Sequence, residues 1–127
     1  MNKIILFTAL FLLASAVNQL HSQSINNKSW KTYIGAPVND TAILTIQQDS
    51  STITNTVGQV IVRHQCSITG DTVTIEDIAA EEQGCPGIKG KYKINLTGGS
   101  FILTMISDSC DGRSQALAGR RWVEVKK

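Results

Sequence analysis

Apolar and polar residues alternate along most of the chain, and this pattern predicts β-strands. In residues 89–96, Tyr92, Ile94 and Leu96 fall on one face and the lysine and asparagine residues on the other, as expected of a half-buried strand. Other segments are rich in Thr and Ile, which suit a pleated sheet. We predict strands at residues 29–34, 41–47, 51–57, 60–69, 72–78, 89–96, 101–106 and 120–126.

The connections between most of these strands are short. Loops of a few residues join antiparallel neighbours, because a parallel pair needs a crossover of about a dozen residues or more. The longest break is residues 79–87, and a single helix is predicted at residues 112–118, with Asp111 as its N-cap and Gly119 at its end. The fold class predicted is all-β: an eight-stranded antiparallel up-and-down barrel with one short helix before the last strand, since closure removes exposed edges.

The sixth and seventh strands form a predicted hairpin. Gly98 and Gly99 supply the positive φ angles of a tight turn between them. In the register that this turn sets, Cys85 and Cys110 lie opposite each other just beyond the paired segments. The two sulfurs are therefore expected to meet.

The first 22 residues are predicted to be a signal peptide. A positively charged head precedes an apolar run at residues 4–17, and small residues around Ala16 offer a cleavage site, with Ser22 as the alternative. The run is shorter than the about 20 apolar residues that span a membrane. We expect residues 23–127 to form one domain, secreted or periplasmic.

Export favours a disulfide between Cys85 and Cys110, because extracytoplasmic compartments are oxidising. The third thiol, Cys66, falls on the apolar face of its strand and is expected to be a buried, free cysteine. Twelve Lys and Arg against 10 Asp and Glu give a formal charge of +2 without a large basic cluster. We therefore expect no nucleic-acid partner and no attraction to an anionic membrane.

A barrel would place Trp30 on the first strand beside Arg121 and Trp122 on the last. Together with the runs at residues 90–92 and 107–113, these residues resemble short secreted bacterial lipocalin-like (calycin) proteins. The resemblance spans residues 27–125. It implies that Trp30 packs across the barrel base and that Arg121 lies over its ring in a cation–π contact.

Alternation also predicts which side chains point into the barrel. The residues expected to be inward are Trp30, Leu44, Ile46, Ile53, Val57, Val62, His64, Cys66, Ile68, Val73, Ile75, Tyr92, Ile94, Leu96, Phe101, Leu103, Met105, Val123 and Val125. A barrel of this size is either filled by its own side chains or holds one small ligand. If it holds a ligand, the lining residues would be His64, Cys66, Tyr92, Phe101, Leu103 and Met105.

The sequence offers few candidate catalytic residues. We therefore predict a protein that is not an enzyme and needs no cofactor or metal. His64 is the one histidine beyond the predicted signal peptide, and it shares a strand face with Cys66. A thiol–imidazole pair or a two-ligand metal site is geometrically possible there. An interior histidine bonded to a neighbouring hydroxyl is the favoured interpretation, because structural zinc needs about four ligands.

Two acidic pairs are candidate sites. Glu76 and Asp77 are adjacent in a strand and so point to opposite faces, which prevents them from acting on one bond. Asp108 and Asp111 could suggest calcium, but two carboxylates outside a calcium-loop pattern are better explained by helix capping.

Two functions fit these features. The first is a barrel, expected to be monomeric, that binds a small apolar molecule. The second is a protein-interaction module, such as an inhibitor of an extracytoplasmic protease or lysozyme, with the loop at residues 79–88 as its contact. A cavity of about 300 Å³ or more would favour the first function.

Overall fold

The strands lie close to the segments that alternation predicts. The computed structural model of the chain describes residues 24–78 and 84–126. Its strands are β1 (Lys28–Ile34), β2 (Asp40–Gln47), β3 (Ser50–Thr54), β4 (Val60–Thr69), β5 (Thr72–Asp77), β6 (Lys89–Thr97), β7 (Ser100–Ser107) and β8 (Arg121–Glu124). A helix, α1 (Asp111–Leu117), lies between β7 and β8.

The sheet closes on itself. In the described part of the chain eight strands form one barrel, and every strand is antiparallel to its neighbours in sequence order. Closure is made by β1 and β8, where Trp30 pairs with Glu124 and Lys31 with Val123. The predicted up-and-down barrel, with its helix before the last strand, is confirmed.

The β6–β7 hairpin has the predicted covalent link, and it has the predicted register from Tyr92 to Thr97; a bulge between Lys91 and Tyr92 then shifts the pairing by one residue. Leu96 pairs with Phe101 across the glycine turn, in which Gly98 has the predicted positive φ (58°) and Gly99 does not. Beyond the far end of the hairpin, Cys85 and Cys110 are joined by a disulfide with Cα atoms 6.0 Å apart. Closing a loop of this size stabilises a domain by about 3 kcal/mol on a chain-entropy argument.

Three aromatic rings form the centre of the core. Trp30 meets Phe101 edge-on with ring centroids 4.8 Å apart, and Phe101 stacks on Trp122 at 6.4 Å. Both indole N–H groups donate to backbone carbonyls, Trp30 to Ile25 at 3.1 Å and Trp122 to Leu117 at 3.2 Å. The rings therefore join β1, β7 and β8 where the barrel closes.

Four of the inward predictions are wrong, each at a strand end. Val57 is 84 % exposed because β3 ends at Thr54 and Val57 lies in the following loop. On β8 the buried residue is Trp122, so Val123 points outward and is 43 % exposed, while Val125 lies beyond the strand and is half-buried. One position of slip inverts every side chain of a strand.

The fourth is Met105, which pairs with the buried Tyr92 but is 48 % exposed. The reason is the short β8, which pairs with β7 at residues 100–102 alone among the described residues. No strand flanks Met105 on that side. The remaining inward predictions are confirmed as buried or partly buried against the core.

The cation over the Trp30 ring is Lys28, with its Nζ 5.9 Å from the ring centroid. Arg121 neighbours the inward-facing Trp122 and so points out of the barrel, where its Nη1 donates to Ser100 Oγ at 2.9 Å. The predicted contact between Arg121 and Trp30 is therefore wrong, while the predicted burial of Trp30 is confirmed.

The two ends of the barrel differ. Short turns at residues 48–49, 70–71 and 98–99 link strands at one end. The other end, called the open end below, carries the longer β1–β2, β3–β4 and β5–β6 connections and the segment containing α1. Residues 79–83 of the β5–β6 connection, much of the predicted partner-binding loop, lie outside the described residues, as does the predicted signal peptide.

Candidate functional site

The open end encloses a cavity of about 380 Å³. Polar side chains at its floor are His64, Asp77 and Arg113. Its wall is largely apolar, and includes Ile34, Ala42, Ile53, Val62, Ala116 and Leu117. Deeper in the barrel, around Cys66 and Phe101, a gap of about 20 Å³ is left. Side chains therefore fill the deep part of the barrel, and most of its empty volume lies at the open end.

An ionic network of three residues with buried side chains, Asp77, Asp108 and Arg113, underlies the cavity; we call it the Arg113 network. The guanidinium of Arg113, on α1, donates two hydrogen bonds to the Asp108 carboxylate. Nε donates to Oδ2 and Nη2 to Oδ1, both at 2.8 Å. Its Nη2 also donates to the Ile88 carbonyl at 2.8 Å, and its Nη1 lies 3.0 Å from Asp77 Oδ1. Burial opposes the charge on Arg113, but the contacts to Asp108 and Asp77 outweigh it and raise the pKa of the guanidinium.

Asp108 is held from several sides. The Tyr92 hydroxyl and the Cys110 backbone N–H both donate to its carboxylate, in addition to Arg113. Burial raises the pKa of Asp108, but these hydrogen bonds outweigh it and the net shift is downward. Gly90 makes room for the group, since a Cβ at that position would lie 2.6 Å from Asp108 Cγ. Asp108 accepts a hydrogen bond from the N–H of Cys110, the residue before the helix, and the described hydrogen bonds include none from the backbone of the first helical turn to Asp108; its main partner is Arg113, so the predicted helix capping is wrong.

The helix itself begins one residue earlier than predicted. Asp111 is its first residue, and Cys110 takes the N-cap position without a side-chain cap bond.

Asp77 is held in a similar way to Asp108, because its Oδ2 accepts a 2.6 Å hydrogen bond from the Cys85 N–H. Each half of the disulfide thus supports one carboxylate of the Arg113 network.

His64 is 2 % exposed and sits between a hydroxyl and a carboxylate. Its Nδ1 shares a 2.9 Å hydrogen bond with Ser51 Oγ, and its Nε2 lies 3.3 Å from Asp77 Oδ1. Burial lowers the pKa of His64 to about 4, although the charge of Asp77 opposes the shift. The imidazole is therefore neutral at pH 7, and the predicted interior histidine bonded to a hydroxyl is confirmed.

Two polar atoms of the site have no hydrogen-bond partner among the described residues. They are Asp77 Oδ1 and Arg113 Nη1, both buried, and the two residues line the cavity together. They face each other as an ion pair 3.0 Å apart, and His64 Nε2 lies 3.3 Å from the same Asp77 oxygen. Both atoms are covered by their neighbours, so this ion pair is enclosed beneath the cavity.

Ser51, His64 and Asp77 are the residue types of a hydrolytic triad, but their placement does not suit acyl transfer. Ser51 is buried and faces the gap of about 20 Å³ instead of the open-end cavity. A substrate in the cavity would meet Asp77 and the far side of the imidazole, whereas a nucleophilic hydroxyl must reach the reacting carbon. The arrangement can bind a molecule through hydrogen bonds and apolar contact.

Cys66 is buried and free, as predicted. Burial raises the pKa of its thiol, which works against the thiolate that a nucleophile or metal ligand requires. His64 turns its nitrogens to Ser51 and Asp77, so no thiol–imidazole hydrogen bond forms between it and Cys66 in the described structure.

The predicted lining residues divide between two places. All but Met105 are buried, namely His64, Cys66, Tyr92, Phe101 and Leu103. His64 lines the open-end cavity, whereas Cys66, Phe101 and Leu103 surround the small deep gap and Tyr92 bonds to Asp108. That these residues contact a ligand stays a prediction.

Sequence reasoning missed Asp77 and Arg113. Asp77 continues the inward alternation of Val73 and Ile75 on β5, so the pattern placed a carboxylate inside the barrel. Arg113 lies one helical turn before the buried Leu117, on the same face of α1. These two signals indicated burial, but nothing in the sequence indicated that the two charges meet.

We expect the stability of the protein to fall as the pH drops from about 6.5 to about 4. Unfolded His64 has a pKa near 6.5 and the folded one about 4, so the unfolded state binds more protons over this range. The loss from this residue should be about 2 to 3 kcal/mol. Urea denaturation across this pH range checks it. His64→Gln, which cannot titrate, should flatten the profile, and an unchanged profile would show that His64 does not carry it.

Asp77 also lies near the disulfide, with its carboxylate and the sulfurs of Cys85 and Cys110 within 4.8 Å of one another. The sulfurs are bonded to each other, so they are not available as thiolate ligands.

None of the helices in the described ranges is long and apolar enough to cross a membrane. A scan against protein-family models and searches of curated proteins and of solved structures found no match to this chain.

Proposed function

We propose that this chain is an exported, non-enzymatic, lipocalin-like barrel that binds a small, largely apolar molecule in the open-end cavity. The observation that carries the proposal is a cavity of about 380 Å³ with apolar walls and a polar floor. Ligand sites are typically concave and mostly apolar, with volumes of about 300–1,000 Å³ and a few convergent polar groups. The cavity is at the lower end of this range and suits a small ligand.

The disulfide supports the extracytoplasmic part of the proposal. Cys85 and Cys110 are bonded, and such bonds persist in oxidising compartments. The predicted signal peptide points the same way. The buried serine, the neutral His64 and the high thiol pKa of Cys66 support a binding role over a catalytic one.

Octanol binding followed by isothermal titration calorimetry tests the proposal. We expect a dissociation constant of about 1 mM or tighter for the purified protein. Ala42→Phe places a ring in the cavity, because Ala42 is buried on β2 and lines the wall. This variant should weaken octanol binding about tenfold or more, since the ring occupies the ligand's volume.

Ile43→Phe is the matched control. It adds the same side chain one position along β2, on the opposite face, and should leave octanol binding unchanged. Equal affinities for both variants, or no octanol binding to the unmodified protein, would contradict the proposal. Mass spectrometry of protein purified from its native compartment is an independent test, in which a retained small molecule would support the proposal.

A further inference from the structure

We propose that the open-end cavity binds a small zwitterion, such as an α-amino acid with an apolar side chain, whose carboxylate meets Arg120 and whose ammonium meets Asp40. This inference rests on the proposed function and names the chemistry of its ligand. It follows from two opposite charges that line the mouth of the cavity without pairing with each other.

Both charges lie on the inner side of the barrel rim. On β2 the inward-facing residues include Ala42 and Leu44, and Asp40 continues that series at the open end. Arg120 lies just before β8, two residues from the inward-facing Trp122. Asp40 and Arg120 are both partly exposed and both line the cavity, so a molecule in the cavity can reach them.

The two charged residues are also close to the same pair of strands. Arg120 Nη1 donates to the Tyr33 carbonyl at 3.4 Å. The next residue of β1, Ile34, pairs directly with Asp40 on β2. The guanidinium and the carboxylate therefore lie at the same end of the β1–β2 pair, yet no ion pair joins them among the described residues. A head that carries both charges suits the space between them.

Each of the two side chains keeps one atom for a ligand. Asp40 Oδ1 accepts from the Thr41 N–H at 2.7 Å, whereas Oδ2 takes part in no hydrogen bond in the described structure. Arg120 donates through Nε and Nη1 to the backbone carbonyls of Gln115 and Tyr33, which leaves Nη2. An α-ammonium group can donate to the free oxygen while the α-carboxylate accepts from the free nitrogen.

The other charges near the cavity favour this head over a lone ion. His64 is neutral because burial lowers its pKa to about 4, and the Arg113 network beneath the floor holds two carboxylates and one guanidinium. A lone carboxylate is attracted by Arg120 but repelled by Asp40 and by this network. A lone ammonium is attracted by Asp40 and the network, but it meets Arg120 as a like charge and leaves it without a partner.

The apolar wall accommodates the side chain of such a ligand. Ile34 and Ala42, which lie beside Asp40, and Leu117 on α1 all line the cavity. The ion pair of Asp77 and Arg113 is enclosed beneath the floor and is covered by its own neighbours. The charged head therefore stays at the mouth, where water still reaches it, and the hydrocarbon part points inward.

Calorimetry at pH 7 with three matched probes tests the inference: free phenylalanine, phenylpropanoate and phenylethylamine. The second lacks the ammonium group of phenylalanine, and the third lacks its carboxylate. We expect phenylalanine to bind about tenfold or more tighter than either, because a hydrogen bond to a charged group contributes about this factor.

Two variants separate the two contacts. In Arg120→Met the affinities for phenylalanine and phenylpropanoate should fall about tenfold, while that for phenylethylamine should not fall. In Asp40→Asn, which keeps an acceptor for the Thr41 N–H, phenylalanine and phenylethylamine should lose about tenfold and phenylpropanoate nothing. Arg121→Met and Asp71→Asn are the controls. They remove the same charges from an outward position of β8 and from the β4–β5 turn at the other end of the barrel, and should leave all three affinities unchanged.

A singly charged probe that binds the unmodified protein as tightly as phenylalanine overturns the inference. A loss in Arg120→Met or Asp40→Asn that is equal for all three probes, or no loss in either variant, also overturns it. If octanol binds and phenylalanine does not, the inference fails and the proposed function stands. If neither octanol nor any of these probes binds, both fail. The comparison of probes on the unmodified protein holds even where a variant does not fold.

Discussion

Replacing Arg113 by methionine is expected to lower the free energy of unfolding by about 3 to 5 kcal/mol. Methionine keeps the unbranched apolar stem but removes the guanidinium that Asp77 and Asp108 share. Two carboxylates with buried side chains would then be left without their cation, and an uncompensated buried charge is far costlier than a lost surface ion pair. Urea denaturation monitored by tryptophan fluorescence measures the change.

Arg120→Met is the control for Arg113→Met. Arg120 follows the same helix and donates only to backbone carbonyls, of Gln115 and Tyr33, among the contacts described. Its loss should cost about 1 kcal/mol or less. Adding Asp77→Asn and Asp108→Asn to Arg113→Met should recover part of the lost stability, because no unpaired charge is then left. A cost below about 1 kcal/mol for Arg113→Met would show that the network is not buried as described.

Replacing Trp30 by alanine is expected to cost about 3 to 5 kcal/mol. Trp30 is buried on β1, meets Phe101 edge-on and donates to the Ile25 carbonyl. The substitution opens a cavity where β1 and β8 close the barrel and leaves a carbonyl without its donor. Chemical denaturation gives the size of the loss.

Tyr33→Ala provides the comparison for Trp30→Ala. Tyr33 is an aromatic residue on the same strand, but it is 61 % exposed. Its removal should change stability by about 0.5 kcal/mol or less. Similar losses for the two variants would argue against Trp30 as a core residue at the point of closure.

The sequence was sufficient for the order and pairing of the strands, and physical reasons explain why. Alternation with a period of two marks a strand with one buried face, and short turns leave antiparallel neighbours as the only pairing. The glycine turn at Gly98 sets the β6–β7 register as far as Tyr92, and Cys85 and Cys110 bond beyond the paired segments, past a bulge between Lys91 and Tyr92. These features depend on residues close in sequence or on a single covalent bond.

Alternation alone could not predict which side chains near the strand ends are buried. Met105 and Val123 were misplaced because face and burial depend on where β8 begins and ends, which alternation does not reveal for a strand of four residues. The sequence also did not predict the Arg113 network. Its members come from β5, from the residue after β7 and from α1, and they meet only once the barrel has closed.

The two half-cystines support the floor of the cavity as well as the chain. Cys85 donates its backbone N–H to Asp77, and Cys110 donates its own to Asp108. Any change of this bridge therefore alters the hydrogen bonds around Arg113 together with the global stability. Neither selection nor engineering can change the disulfide without also changing the floor of the cavity, whereas the turn at Gly98 lies at the other end of the barrel.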